Sequence, residues 1–258
     1  MAKLYKFKSE SEKEYKDIME DKSKNVLRGM IFLIIAITVA LCAIVMKEKL
    51  LYLCAVPFFI ISIIKFNTKK YDDKGDIRRS GIQGELQTLQ LLERLPDDYH
   101  IISNALISCA AKTSEMDTIV IGPTGVFVIE TKNNKGTIHG HPDSHSWVQI
   151  KYGKRGTRHT KELYNPIKQV NTHVYVLANL LRSCGCNVYV KAMVLFVNYQ
   201  AKLTLERGRS KIPVFSVSDN GEQKVLNYIL SGESIISKND CIKITNDVLR
   251  HCNNLNRE

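Results

Sequence analysis

The chain of 258 residues contains no Cys-x-x-Cys pair, no internal repeat and no low-complexity tract. The missing pairs exclude the usual paired-cysteine zinc ribbons. Seven cysteines remain, at positions 42, 54, 109, 184, 186, 241 and 252. An odd number, with two inside apolar runs, argues for reduced thiols in a reducing compartment. Cys184-Gly185-Cys186 is spaced too closely to grip zinc. Acidic residues are also scarce, 26 against 37 lysines and arginines, for a formal charge of +11. Residues 1–28 hold eight basic and six acidic residues and residues 29–66 hold three and one, so +7 belongs to residues 67–258. A basic soluble part suits nucleic acid or anionic lipid. Its basic loops carry few aromatics, so stacking on single-stranded bases is not indicated.

Charge is absent altogether from Gly29 to Met46 and again from Leu50 to Ile64, with Lys47-Glu48-Lys49 between. At 1.5 Å per residue the first run is near the lower limit for a hydrocarbon core of about 30 Å. The second holds Pro57 and is extended by Lys65 and Phe66. The pattern predicts two transmembrane helices, about 29–46 and 50–66; a signal peptide and a buried helical pair are the alternatives. Lys22, Lys24 and Arg28 precede the pair, and Lys65, Lys69, Lys70, Lys74, Arg78 and Arg79 follow it. This bias predicts a multi-pass membrane protein with both termini cytoplasmic. Residues 1–28 read as a charged tail or surface helix, and 67–80 as a polar linker.

The informative stretch is Met116 to Lys132, MDTIVIGPTGVFVIETK, two apolar strands around Gly122-Pro123-Thr124-Gly125. A four-residue loop sets Ile121 opposite Val126, Ile119 opposite Val128 and Asp117 opposite Glu130. Directly opposed like charges are destabilising, so two carboxylates there call for a cation. Mg²⁺ (or Mn²⁺) is commonly held by one or two carboxylates together with water and substrate phosphates. Lys132 shares the face and can steady charge on a phosphate. A solvated Glu-Lys pair is the alternative.

Before the hairpin, Gly81 to Leu95 reads as a helix ended by Pro96, with a stripe of Ile82, Leu86, Leu89, Leu92 and Leu95. Glu85 lies beside that stripe, and Gly81 and Gly84 would allow close approach to another backbone. An early-turn glutamate favoured by the helix dipole is the simpler account. His100 to Ile107 reads as a strand. Asn165 to Arg182 has helical periodicity, with Gln169 and His173 beside its stripe, and Val188 to Val197 reads as a buried strand. Ile212 to Val217 reads as a short strand, and helices follow at Gln223 to Leu230 and about Asp240 to Cys252. Between Lys132 and Pro166 the sequence predicts a long polar connection, in which His139, His141, Asp143 and His145 lack a framework for zinc. Lys151, Lys154, Arg155, Arg158 and Lys161 form a basic loop able to grip phosphates or simply to face solvent.

Gly84-Glu85 on the opening helix, Asp117, Glu130-Thr131-Lys132, Gly136, Trp147 and Asn165-Pro166 with Gln169 resemble the nuclease-related domain (NERD) family. That family is similar to the PD-(D/E)xK nuclease superfamily. The resemblance spans roughly residues 81–197 and implies an α/β fold of the restriction-endonuclease-like type, an αβββαβ core with a mixed sheet. Residues 198–258 would complete or flank it. It also implies Asp117 and Glu130 as metal ligands, Glu85 as a supporting ligand, Lys132 as the charge-stabilising lysine and Gln169 as an accessory catalytic residue. Many members of that superfamily carry tyrosine where this chain has His173. The implied activity is Mg²⁺-dependent hydrolysis of phosphodiester bonds, with nucleic acid (foremost DNA) and the membrane as partners and homo-oligomerisation left open. An inactive DNA- or protein-binding module at the membrane is the alternative.

Overall fold

A computed structural model describes residues 1–109, 111–153 and 155–252. The chain divides into two compact units, residues 11–80 and the combination of 1–10 with 81–258.

The first unit is helical. α1 (Glu10–Met46) and α2 (Leu50–Phe66) turn at Lys47, which adopts a positive φ of 55°. They pack along small residues seven apart, Gly29, Ala36 and Ala43, all buried, with Ser62 buried on α2. Small side chains let apolar helices approach closely. A Cβ on Gly29 would come within 3.1 Å of the Lys65 Cβ. Phe32 stacks near Phe58, and Asn25 donates to the Lys65 carbonyl at 3.0 Å. Most large apolar side chains on both helices face outward, including Ile34, Val45, Leu50 and Leu53. The two helices are long and apolar enough to cross a membrane. The polar stretch expected as a linker is helical from Lys69, as the start of α3 (Lys69–Leu92). Lys22 pairs with Asp72 and Arg78 with Glu14, so two of its charges are turned to the first helix.

The second unit is the predicted α/β core. α3 leads into β2 (His100–Cys109), β3 (Lys112–Gly122), β4 (Gly125–Lys132), α4 (Pro166–Ser183) and β8 (Val190–Phe196). The β3–β4 register pairs Ile121 with Val126 and Ile119 with Val128, as the loop length required. β4 and β8 run parallel, Val126 beside Val190 through Lys132 beside Phe196, so the sheet is mixed. A three-residue edge strand, β10 (Val214–Ser216), extends it beyond β8. At the other edge lies β1 (Lys3–Lys6), parallel to β2. Of the amino-terminal segment, expected as a tail or a surface helix, Lys3–Lys6 is therefore a strand of the core and the residues from Glu10 on are helical. Ala2 donates to Leu95, Lys3 to Tyr99 and Phe7 to Ser103.

One sheet face packs on α4 and α6 (Lys238–Arg250), the other on α3 and α5 (Gly221–Leu230). α4 begins as its sequence dictates: Asn165 caps it by accepting from Ile167 N–H at 2.9 Å, and Pro166 occupies the first turn. The polar connection is not a loop. It forms β5 (Gly136–Gly140), β6 (Ser146–Tyr152) and β7 (Arg158–Tyr164), joined by β9 (Ala201–Leu205) in a second sheet of order β7-β6-β5-β9. Trp147 of this sheet stacks on Phe196 with ring centroids 6.3 Å apart.

Candidate active site

The site begins where β3 leaves its neighbours. On the β2 side the ladder pairs Ser103 with Thr118 and Ala105 with Met116; on the β4 side it stops at Thr118 and Ile129. Both ladders therefore pass over Asp117. Opposite it, Asn104 takes a positive φ of 58°, a conformation asparagine tolerates better than most residues, and donates to the Phe7 carbonyl. Freed from the ladder, Asp117 accepts the Thr131 N–H on Oδ2 at 2.8 Å. Its side chain thus takes the place of a backbone acceptor.

Glu130 is buried and both of its oxygens are engaged. Oε1 is 2.7 Å from the Lys132 ammonium and Oε2 is 2.9 Å from His173 Nε2. Lys132 also donates to Gln169 Oε1 at 2.9 Å. Gln169 and His173, one helical turn apart on α4, hold the lysine and the glutamate of β4 respectively. His173 Nδ1 lies 2.5 Å from the buried Ser114 hydroxyl. An ionised Glu130 only accepts, so Nε2 carries a proton, and in the neutral ring Nδ1 accepts from Ser114.

Charge follows this arrangement. Burial alone would raise the Glu130 carboxyl, but the Lys132 charge and the His173 hydrogen bond hold it below its ordinary value. Burial opposes the Lys132 ammonium, yet Glu130 and Asp117 keep it above its ordinary value. Asp117 is pushed well up, first by burial and then by the Glu130 charge; Lys132 and the Thr131 N–H only partly offset this, and Glu85 adds to it. The cluster therefore pairs one anion with one cation and makes the Asp117 carboxyl harder to ionise than an ordinary aspartate.

Glu85 is delivered by α3, which sits tightly on the sheet. A Cβ at Gly84 would fall 2.8 Å from the Asn133 Cβ and 3.2 Å from Val197 Cγ2, so only glycine permits this approach. One turn on, the Thr88 and Thr131 hydroxyls are 2.9 Å apart in the buried interface. Gly81 has open space around it.

Two carboxylates that repel one another beside a lysine have the donor chemistry of a Mg²⁺-type site, which needs few protein ligands and keeps waters. Asp117 Oδ1 makes no hydrogen bond among the described residues and is available to such an ion. The same residues contain no group of three His, Cys, Asp or Glu side chains close enough to hold a metal by themselves. Glu85 is thus not gathered with Asp117 and Glu130 into a three-carboxylate cage. Nor do the histidines of residues 139–145 converge. His141 Nδ1 accepts from Asp143 N–H, His145 packs edge-on against Tyr164, and Asp143 faces Arg209.

The residues that sequence reasoning missed are Ser114, Thr88 and the role of His173. His173 stood beside the predicted stripe four residues after Gln169, the one signal that could have assigned it to the site. Ser114 is 59 residues from its partner and carried none.

Residues 80–197 match the family described as the nuclease-related domain. An uncharacterised protein of Bacillus anthracis is 26% identical over 204 residues, which cover 78% of this chain and 82% of that relative. No solved structure matches the chain.

Proposed function

We propose, from the match of residues 80–197 to the nuclease-related domain family, that this protein is a membrane-anchored, metal-dependent nuclease that hydrolyses phosphodiester bonds in DNA. The observation that carries the proposal is the Asp117, Glu130 and Lys132 cluster, in which the lysine is fixed on both sides by Glu130 and Gln169. A lysine held this way presents a preorganised positive charge, and charge placed before the reaction costs no reorganisation during it.

Asp117 and Glu130 are the residues that would hold Mg²⁺ or Mn²⁺. Such an ion, when bound, supplies Lewis acidity toward a phosphoryl oxygen and makes a water more acidic. Lys132 remains protonated and neutralises charge developing on the phosphate. Gln169 and His173 keep Lys132 and Glu130 from swinging away, and Glu85 adds negative charge at the edge of the cluster.

Anchoring is supported by the outward-facing apolar side chains of α1 and α2 and by their length. The chain leaves the catalytic unit at residue 11 and re-enters it at residue 81. Two crossings would satisfy that connectivity and one would not. With the basic flanks, this argues for a cytoplasmic nuclease domain and cytoplasmic termini.

The test uses the full chain in detergent or lipid nanodiscs, with plasmid DNA and Mg²⁺ or Mn²⁺. Cleavage is expected, with loss of about 10²–10³-fold in rate for Lys132→Gln and to background for Asp117→Asn. Cleavage unchanged in both variants would reject this site. DNA binding without cleavage would favour the inactive-module reading.

A further inference from the structure

The inserted sheet carries a face beside the site that the cluster does not use. On β6 and β7 the side chains facing the main sheet are set by the cross-strand pairs Trp147 with Leu163, Gln149 with Lys161 and Lys151 with His159. The first pair lies against Lys132, Asn134 and Phe196 around a cavity of about 110 Å³. The next two lie about 7 and 14 Å further along the same face, at two residues per step of the pleat. None of these six residues is acidic.

A third lysine joins from the chain that leaves the site. Lys135 is three residues beyond Lys132, at most about 11 Å of extended backbone. Its carbonyl accepts from the buried Gln149 amide at 2.7 Å. The Lys151 stem crosses directly over the following residue, its Cγ 3.2 Å from where a Cβ on Gly136 would stand. No carboxylate lies within ion-pair distance of Lys135, Lys151 or Lys161 among the described residues. Gln149 Oε1, buried between them, has no hydrogen-bond partner. Burial, and then the charges of Lys135 and Lys161, pull the Lys151 ammonium below its ordinary value. Three cations gathered without a counter-charge repel one another, and a polyanion relieves that repulsion.

We propose that Lys135, Lys151 and Lys161 form a cradle for successive backbone phosphates of DNA, holding the strand along this face while Lys132 meets the phosphate at the cluster. The proposal rests on the nuclease reading for its ligand. It assigns these lysines to binding and not to chemistry, because they meet the phosphate chain beside the cluster and none touches Asp117 or Glu130.

The experiment measures binding of a fluorescein-labelled DNA duplex to the full-length protein by anisotropy, in EDTA, across a salt series. Duplex affinity should fall with salt, and the triple variant K135Q/K151Q/K161Q should flatten the log–log slope by roughly 0.9 for each phosphate that is no longer neutralised. The triple Lys→Arg variant should restore the slope. In cleavage assays the Gln variant should raise KM while kcat at saturating DNA stays near wild type. Lys151 is half-buried, so the double variant K135Q/K161Q, both exposed, gives the same reading if the triple variant misfolds. An unchanged slope in the Gln variants, or no duplex binding by wild type at low salt, overturns the cradle. Cleavage that depends on Asp117 with an unchanged slope leaves the nuclease reading standing. Lysine-dependent binding with no cleavage supports the cradle and removes the hydrolase.

Discussion

His173 Nε2 lies 2.9 Å from Glu130 Oε2, and the other ring nitrogen reaches Ser114, so one imidazole joins β3, β4 and α4 within the buried cluster. Histidine can bridge because it offers a polar atom on each side of its ring, whereas a tyrosine hydroxyl offers one.

Replacing that ring with Phe removes both hydrogen bonds and leaves Ser114 and one Glu130 oxygen buried without a partner. Each orphaned group costs about 1–3 kcal/mol. His173→Phe is therefore expected to lower the midpoint of urea unfolding and to slow cleavage, whereas Ser114→Ala should cost less and leave cleavage closer to wild type. Equal stability of wild type and His173→Phe would show that the bridge contributes nothing.

The two glycines that precede Glu85 separate cleanly. Gly84→Ala places a methyl 2.8 Å from the Asn133 Cβ, a clash with an atom that no rotamer change can move away. Overpacking costs about 1–3 kcal/mol, which exceeds the gain of about 1 kcal/mol from helix propensity. Gly81→Ala meets nothing and keeps that gain. Thermal melts should show the first variant less stable than wild type and the second equal or more stable.

How much of this was legible beforehand depended on whether a residue's partner lay near it in sequence. The β3–β4 hairpin was readable because apolar alternation and Gly122-Pro123-Thr124-Gly125 are local signals. Asn165-Pro166 likewise announced the start of α4. β7 was not readable: all its residues but Leu163 are exposed, so the alternation that marks a half-buried strand is missing. β1 is four residues long and gains its order only by pairing with β2, about a hundred residues away. The break in the ladder at Asp117 was invisible for a related reason. It depends on Asn104 adopting a left-handed conformation that no neighbouring residue demands.

The carboxyl groups predict opposite pH responses. Glu130 titrates below its unfolded value, so its stabilisation is present above that value and is lost as pH falls through the folded one. Asp117 titrates well above its unfolded value. Its contribution is fully present below the unfolded value, near 4, and is lost as pH rises through the folded one. Asp117→Asn keeps the acceptor for Thr131 N–H and removes the charge. In EDTA it should therefore melt higher than wild type at pH 8, with the difference shrinking toward pH 5, while cleavage is abolished. A variant that melts lower at pH 8 would show that ionised Asp117 is not under strain.

The core strand at the amino terminus gives a prediction that a mobile tail would not. Deleting residues 2–6 removes the pairing with β2 and the bonds from Ala2 and Lys3 to Leu95 and Tyr99. It also exposes the edge of β2 beside Asn104 and Asp117, and open edges recruit other chains. The deletion is expected to lower the melting temperature, promote association in size-exclusion chromatography and reduce cleavage. A fully active, monodisperse deletion variant would contradict this.

Sidedness follows from the same strand. Residues 1–10 and 81–258 are one unit, so in the proposed anchored arrangement the side of the membrane that holds the domain also holds the amino terminus, with the turn at Lys47–Lys49 opposite. In a background freed of native cysteines, Lys49→Cys should react with a membrane-impermeant maleimide in intact cells, while Ala2→Cys and Ser231→Cys react only after permeabilisation. Inverted vesicles should reverse the pattern. Labelling of Lys49→Cys and Ser231→Cys from the same side would mean that α1 and α2 do not cross, and their exposed apolar faces would then need a protein cover in place of lipid.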